Sequence, residues 1–280
     1  MSMDWQQLLE VASEAADAGG KALSAHWRSL NQIRSKGRPG DLVTEADLAA
    51  EAAVLKVLAE RTPDIGVLAE ESGLSQGRSE ELQWCVDPLD GTTNYAHGFP
   101  FFACSVGLLH LGRPILGSVV APGVQQHYRG GRGLGATCNG EPLQVSTCSS
   151  LSDALLVTGF AYDRREVVDN NYSEFCHFSH ITHGVRRGGA ASLDLAFVAA
   201  GSLDGYWERG LQPWDLAAGV ALVEAAGGVV SDYSGQPLDL SNGRVLACPE
   251  TLQSALIDGL AQCKPLPPEL YNASIPTATS

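Results

Sequence analysis

The run Trp84-Cys85-Val86-Asp87-Pro88-Leu89-Asp90-Gly91-Thr92-Thr93-Asn94-Tyr95-Ala96-His97-Gly98-Phe99-Pro100 decides how the chain is read. Leu82 to Val86 is a short apolar run of the kind that forms a buried strand. Asp87-Pro88 should stop it, because proline cannot donate to a sheet ladder. Asp90-Gly91 follows as a turn dipeptide, and then come two hydroxyl residues that either open a helix or shape a nest of backbone N–H groups suited to phosphate. Two carboxylates therefore face one tight bend. Away from water, one of them has to take up a proton unless a cation stands between them. Hard oxygen ligands suit Mg²⁺, which keeps positions open for water and phosphate, and the Leu89 carbonyl between the two acids is a natural further ligand. As bare dipeptides, Asp-Pro and Asp-Gly also read as ordinary turn punctuation.

Composition narrows the setting. With 280 residues and 44% hydrophobic content, the chain can fill one large domain or two closely packed halves. A net charge of −14 repels nucleic acid and anionic membranes, so an anionic substrate must be drawn in by a bound cation or a local arginine cluster. Cysteines 85, 104, 138, 148, 176, 248 and 263 include no C-x-x-C pair and leave one over. That points to neither a disulfide framework nor zinc, and fits a reducing cytosol. No signal peptide is expected from Met-Ser-Met-Asp-Trp, and no membrane span from apolar runs that all fall short of about 18 residues.

Outward from the central run, apolar residues recur at helical spacing from Trp5 to Leu30, and again from Asp47 to near Glu60. Thr44 with Asp47 reads as a capping box. Ile65 to Ala69 is a short strand whose end carries Glu70 and Glu71, and Gly73 to Glu80 reads as a mobile connection. After Pro100, short apolar runs separated by Gly-Arg-Pro and Pro-Gly turns predict an antiparallel meander. Gly130, Gly131, Gly133 and Gly135 lack the Gly-Lys-Ser/Thr of a phosphate loop and read as a hairpin turn. The second half alternates strand and helix from Leu155 to Ala261. Lys264 to Ser280 reads as a disordered tail. The division expected is 1–145 with an antiparallel sheet, 146–263 with a mixed sheet, and 264–280 as tail.

The block from Asp87 to Tyr95, followed by His97-Gly98-Phe99-Pro100, closely resembles the signature of the inositol monophosphatase family of Mg²⁺-dependent, lithium-sensitive phosphatases. A second segment, Trp214-Asp215-Leu216-Ala217-Ala218-Gly219 continuing to Gly227-Gly228, resembles that family's second signature. The resemblance implies an α/β (α+β type) fold, a layered αβαβα sandwich, and hydrolysis of inositol monophosphate by a homodimer. It implies metal ligation by Glu70, Asp87, Asp90, Asp215 and the Leu89 carbonyl. It makes Asp47 and Thr92 a pair that orients the attacking water, with Glu70 beside them in catalysis.

Substrate contacts implied are Asp90, Gly91, Thr92, Thr93, Ala191, Glu208 and Asp215, Glu208 meeting hydroxyls of the polyol. Gly188-Gly189-Ala190-Ala191-Ser192 departs from the family's usual Gly-Ser/Thr-Ala-Ala, which leaves the segment a backbone contact. By position alone, Glu70 and Glu71 also read as solvated loop charges, while Asp215 and Asp47 also read as helix-start residues. His97 reads as structural. The same chemistry on fructose bisphosphate, histidinol phosphate or a nucleotide phosphate is the first alternative, with Arg164-Arg165 and Arg186-Arg187 as seats for a second phosphate. A regulatory protein without turnover is the other.

Overall fold

The computed structural model describes residues 4–30, 32–38 and 40–267. Asp4 accepts from the N–H groups of Gln6 and Gln7 and so starts helix α1 (Trp5–His26), which buries Leu9, Ala12, Ala15, Ala16 and Leu23 along one stripe. The chain continues through β1 (Ile33–Ser35), β2 (Leu42–Thr44), α2 (Glu45–Arg61), β3 (Gly66–Ala69), β4 (Gly73–Ser75), β5 (Leu82–Asp90) and the short α3 (Thr92–Ala96). A meander follows: β6 (Ala103–His110), β7 (Arg113–Ala121), β8 (Gln126–Gly131), β9 (Gly135–Cys138) and β10 (Glu141–Pro142). The second half runs β11 (Leu155–Thr158), α4 (Tyr172–Ile181), β12 (Gly184–Arg187), α5 (Ala191–Ala199), β13 (Gly205–Glu208), α6 (Pro213–Ala225), β14 (Val229–Ser231), β15 (Val245–Cys248) and α7 (Glu250–Gln262).

These elements stack as five layers, the αβαβα sandwich that the resemblance implies. Helices α1 and α2 cover one face of an eight-stranded sheet of order β10-β9-β8-β7-β6-β5-β3-β4, around Trp84, Val86, Leu108 and Leu116. Helices α5 and α6 lie against its other face, where Gly107 and Gly117 let strand backbone meet Ala217 and Ala218 directly. Beyond them is a five-stranded sheet of order β12-β11-β13-β15-β14, backed by α4 and α7 around Phe178, Trp207, Leu252 and Leu256. Among the described residues no helix is long and apolar enough to cross a membrane.

Several expectations change. Strand β5 does not stop at Asp87-Pro88: its pairing with β6 is regular as far as Asp87 opposite Ser105, slips, and resumes at Asp90 opposite Ala103. Pro88 and Leu89 sit in that slip, where no ladder N–H is required. The large sheet is not wholly antiparallel, since β3 pairs parallel with β5. Residues 73–80 contain β4, paired to β3, where a mobile connection was expected. Helix α1 ends at His26 rather than Leu30, because Trp27 leaves the helical region at ψ 121° and Arg28 then turns left-handed at φ 61°. Of the tail expected over Lys264–Ser280, residues 268–280 lie outside the described residues.

Candidate active site

The parallel pairing of β3 with β5 builds the first half of the site. The Glu70 N–H donates to the Val86 carbonyl at 3.1 Å, which sets Glu70 beside Asp87. Asp87 Oδ1 accepts from the Leu89 N–H at 3.0 Å, an Asx turn inside the β5 slip. Asp90, at the end of the strand, accepts from the Ala191 N–H at 3.1 Å and from the Ser192 N–H and hydroxyl at 2.7 and 2.6 Å. It thereby caps α5 from 101 residues away in sequence. Asp215, third residue of α6, accepts from the Gln212 N–H at 2.7 Å. All four acids line one cleft of about 410 Å³, together with Lys36, Leu89, Thr92 and Tyr162.

Burial makes this cluster electrostatically expensive. Asp87 is 2% exposed, and its pKa stands well above the usual carboxylate range because of burial first and then Glu70, Asp90 and Asp215. Asp215 is raised in the same way, by burial and then by Asp90. Asp90 is pushed up to about 6 by burial, although the Ser192 and Ala191 donors pull it down. Such a group cannot be fully ionised in a low-dielectric cleft without a cation. The protein supplies one at the rim: Lys36 Nζ lies 2.8 Å from Glu70 and 2.5 Å from Glu71. Burial pulls the Lys36 pKa down, but the two glutamates outweigh it and hold it above its ordinary value.

Among the described residues, no three His, Cys, Asp or Glu side chains are drawn together tightly enough to enclose an ion as they stand. The donor set is nonetheless all oxygen, four carboxylates and the Leu89 carbonyl, with no histidine or cysteine in the cleft lining. That chemistry fits a hard cation such as Mg²⁺.

The single Thr92 O–H faces two acceptors, Asp47 Oδ1 at 3.1 Å and the Leu89 carbonyl at 3.0 Å. Asp47 Oδ2 in turn accepts from the Thr44 N–H at 2.8 Å and the Thr44 hydroxyl at 2.6 Å. Both readings of Asp47 therefore coexist geometrically: it closes the capping box of α2 and fixes the Thr92 hydroxyl. Gly91 makes the turn between the strand and α3 at φ 89°, where a Cβ would press on the Phe101 carbonyl and on Ala190.

A smaller lobe of about 110 Å³ adjoins the acids and shares Asp90, Gly91, Tyr162 and Asp215 with them. Glu208 forms its far wall. One Glu208 oxygen accepts from the Tyr206 hydroxyl at 2.7 Å, and burial pushes its pKa up to about 7 despite Tyr206 and Arg187. Gly159 is required beside it, because any side chain there would collide with the Glu208 carboxylate.

Thr93 and Ala191 also line this lobe, but the Ala191 N–H, which the sequence reading left to the substrate, is taken by Asp90. Of the four arginines, only Arg187 reaches the lobe; Arg164 closes a turn on the Ala161 carbonyl. His97 ends α3 and lines neither lobe. Lys36 and Tyr162 were not singled out in the sequence as parts of the site, and Ser192 stood there only as a hydroxyl displaced within the pocket-lining segment. Lys36 carried a weak signal as a cation in a glycine-containing loop, whereas Tyr162 carried none.

The sequence pattern of the inositol monophosphatase family matches residues 4–264. A protein named inositol-1-monophosphatase from Synechocystis is 52% identical over 92% of this chain and 90% of its own length. The protein named Nus factor SuhB from Pseudomonas aeruginosa is 41% identical over 86% of this chain and 91% of its own. The solved structure of inositol monophosphatase from Anabaena superposes with a TM-score of 0.87 at 48% identity, covering 94% of this chain and 99% of that one.

Proposed function

The chain belongs to the inositol monophosphatase family and is a phosphatase, and on that premise we propose that it is a Mg²⁺-dependent phosphomonoesterase releasing inositol and phosphate from inositol monophosphate, as a cytosolic homodimer. One observation carries the reading: carboxylates from three separate segments converge on one cleft that holds no histidine or cysteine, and three of them, Asp87, Asp90 and Asp215, have raised proton affinities. Glu70, Asp87, Asp90, Asp215 and the Leu89 carbonyl would hold Mg²⁺, which supplies neutralisation of phosphate oxygens and acidification of water.

The protein's own groups do the orienting. Asp47 holds the Thr92 O–H, so that the Thr92 oxygen keeps lone pairs to accept a hydrogen bond from the attacking water and can relay its proton to Asp47. Glu70, whose side chain is 23% exposed, would stand beside that water. Water adds to phosphorus and passes one proton by way of Thr92 to Asp47, the ester P–O bond breaks, and the departing alkoxide takes a proton from a second water. Gly91, Thr92 and Thr93 face the phosphate with backbone N–H groups, and Glu208 accepts from polyol hydroxyls.

A sugar bisphosphate is less well served. Arg187, the arginine in the small lobe, stands among Asp90, Glu208 and Asp215, so a second phosphate there would meet one cation and three acids. The likeness to proteins named Nus factor SuhB gives a second reading, a regulatory partner on this fold. Both readings meet the same assay of purified protein on a panel of phosphate esters. Inositol monophosphate should be the best substrate, EDTA should abolish turnover, Mg²⁺ should restore it, and Li⁺ should inhibit. Turnover that survives EDTA removes the cation from the mechanism, and no turnover of any ester favours the regulatory reading.

A further inference from the structure

Tyr162 lines both lobes of the cleft, yet no step described above needs a phenol ring there. The residue is 44% exposed, while the loop that carries it is pinned. Asp163, the next residue, forms a bidentate pair with Arg209 at 2.8 and 2.9 Å, and Arg209 directly follows Glu208. The Arg209 side chain is only 12% exposed, so this pair is shielded and oriented, unlike a loose surface bridge. Behind the loop, Phe160 packs on Tyr172 and Phe175. Across the mouth, Arg38 reaches Glu166 at 3.5 Å. The same short segment thus ties the tyrosine to the residue after Glu208 and to the opposite rim.

A ring polyol presents two kinds of surface, a rim of hydroxyls and a face of C–H groups. The electron-rich face of an aromatic ring attracts C–H edges, and a ring fixed by its loop offers that area with little entropy left to lose. Glu208 can take the hydroxyl rim, and Tyr162 is the aromatic side chain that both lobes share. An acyclic ester has no such face to lay on it.

We propose that Tyr162 is a specificity-determining residue whose ring lies against the C–H face of the substrate, so that the site selects phosphate esters of cyclic polyols over acyclic ones. The proposal rests on the phosphatase reading above and narrows its substrate class.

The test compares steady-state kinetics of the full chain, Tyr162→Phe and Tyr162→Ala at saturating Mg²⁺ on inositol 1-phosphate and glycerol 2-phosphate. Tyr162→Ala should raise KM for inositol 1-phosphate about tenfold with kcat within about twofold, the range set by a lost apolar contact in a substrate pocket. KM for glycerol 2-phosphate should move less than about twofold, because that ester leaves the ring uncovered. Tyr162→Phe should keep wild-type KM on both. Equal rises on the two esters, a loss confined to kcat, or a Phe variant that behaves like Ala would each overturn the proposal. Tyr162→Leu, which fills the volume without a π face, replaces Tyr162→Ala if the alanine variant does not fold. If the wild-type protein does not turn over inositol 1-phosphate, the parent reading fails by itself. The variants are then compared on fructose 1,6-bisphosphate and glycerol 2-phosphate, where a shift confined to the ring ester still supports Tyr162 and a parallel shift sinks it.

Discussion

Asp47 and Asp215 are the same local device in two places. Each is the third residue of its helix, and each reaches back to the backbone N–H just before that helix, Thr44 at 2.8 Å and Gln212 at 2.7 Å. Their surroundings then diverge. Asp47 receives two further donors, the hydroxyls of Thr44 and Thr92, which pull its pKa down against the burial and the Glu70 charge that leave it raised. Among the described residues the Asp215 carboxylate accepts from the Gln212 N–H alone, and burial, then Asp90, Glu70 and Glu208, push its pKa upward. A capping aspartate met by two hydroxyls is held in place to orient one of them. One left with an uncompensated oxygen among other acids is prepared for a cation.

The comparison breaks most easily at its charges. Asp215→Asn keeps an oxygen for the Gln212 N–H, so α6 should still start normally, while kcat should fall at least about a hundredfold with the lost electrostatic contact. Its stability in EDTA should be unchanged or higher, since an unpaired buried charge leaves. Asp47→Asn offers one oxygen to three donors and should cost about 1–2 kcal/mol of stability. Its kcat should drop only about tenfold, because Thr92 loses a partner that orients and no cation ligand is lost. Kinetics and urea unfolding of the two variants side by side decide it: matching losses in both measurements would mean the two aspartates do one job.

Much of this contrast was beyond the reach of local sequence. The block from Asp87 to Thr93 and the helix after Trp214 announced their acids, because strand-end and helix-start chemistry is written in neighbouring residues. Pro88 misled about the strand end, since whether proline stops a strand or occupies a slip depends on the partner strand β6. Glu70 meets Asp87 through a parallel pairing between β3 and β5, which no periodicity states. Ser192 looked displaced from a substrate contact, whereas its hydroxyl serves Asp90, far away in sequence. Tyr162 sits in a loop without periodicity, held by Arg209 from another strand end.

The second way to sharpen the comparison is pH. Asp87 and Asp215 have folded pKa values well above the ordinary 3.8, and Asp90 stands at about 6. Raised acids in the folded state hold protons that the unfolded chain has released, so stability without a cation should fall as pH rises from about 4 through 6 and beyond. Added Mg²⁺ must displace the Asp90 proton at pH 5 but finds it gone at pH 8. Millimolar Mg²⁺ should therefore raise Tm by several degrees more at pH 8 than at pH 5. Asp47→Asn should preserve that difference and Asp215→Asn should shrink it. Equal Mg²⁺ shifts at the two pH values would mean that the raised acids are not where the cation binds.

The smallest expected effect isolates the caps themselves. Thr44 contributes a side chain to its box: its hydroxyl accepts from the Ala46 N–H at 3.1 Å and donates to Asp47 at 2.6 Å. Gln212 contributes the backbone N–H that Asp215 accepts. Thr44→Ala should therefore cost about 1–2 kcal/mol, the scale of a lost N-cap hydroxyl. Gln212→Ala leaves the N–H in place and should stay within about 0.5 kcal/mol of wild type. Urea midpoints at constant m measure both. A Gln212→Ala loss as large as that of Thr44→Ala would show that α6 depends on a side-chain cap after all. Asp215 would then be structural in the same sense as Asp47, and its open oxygen would no longer set the two apart.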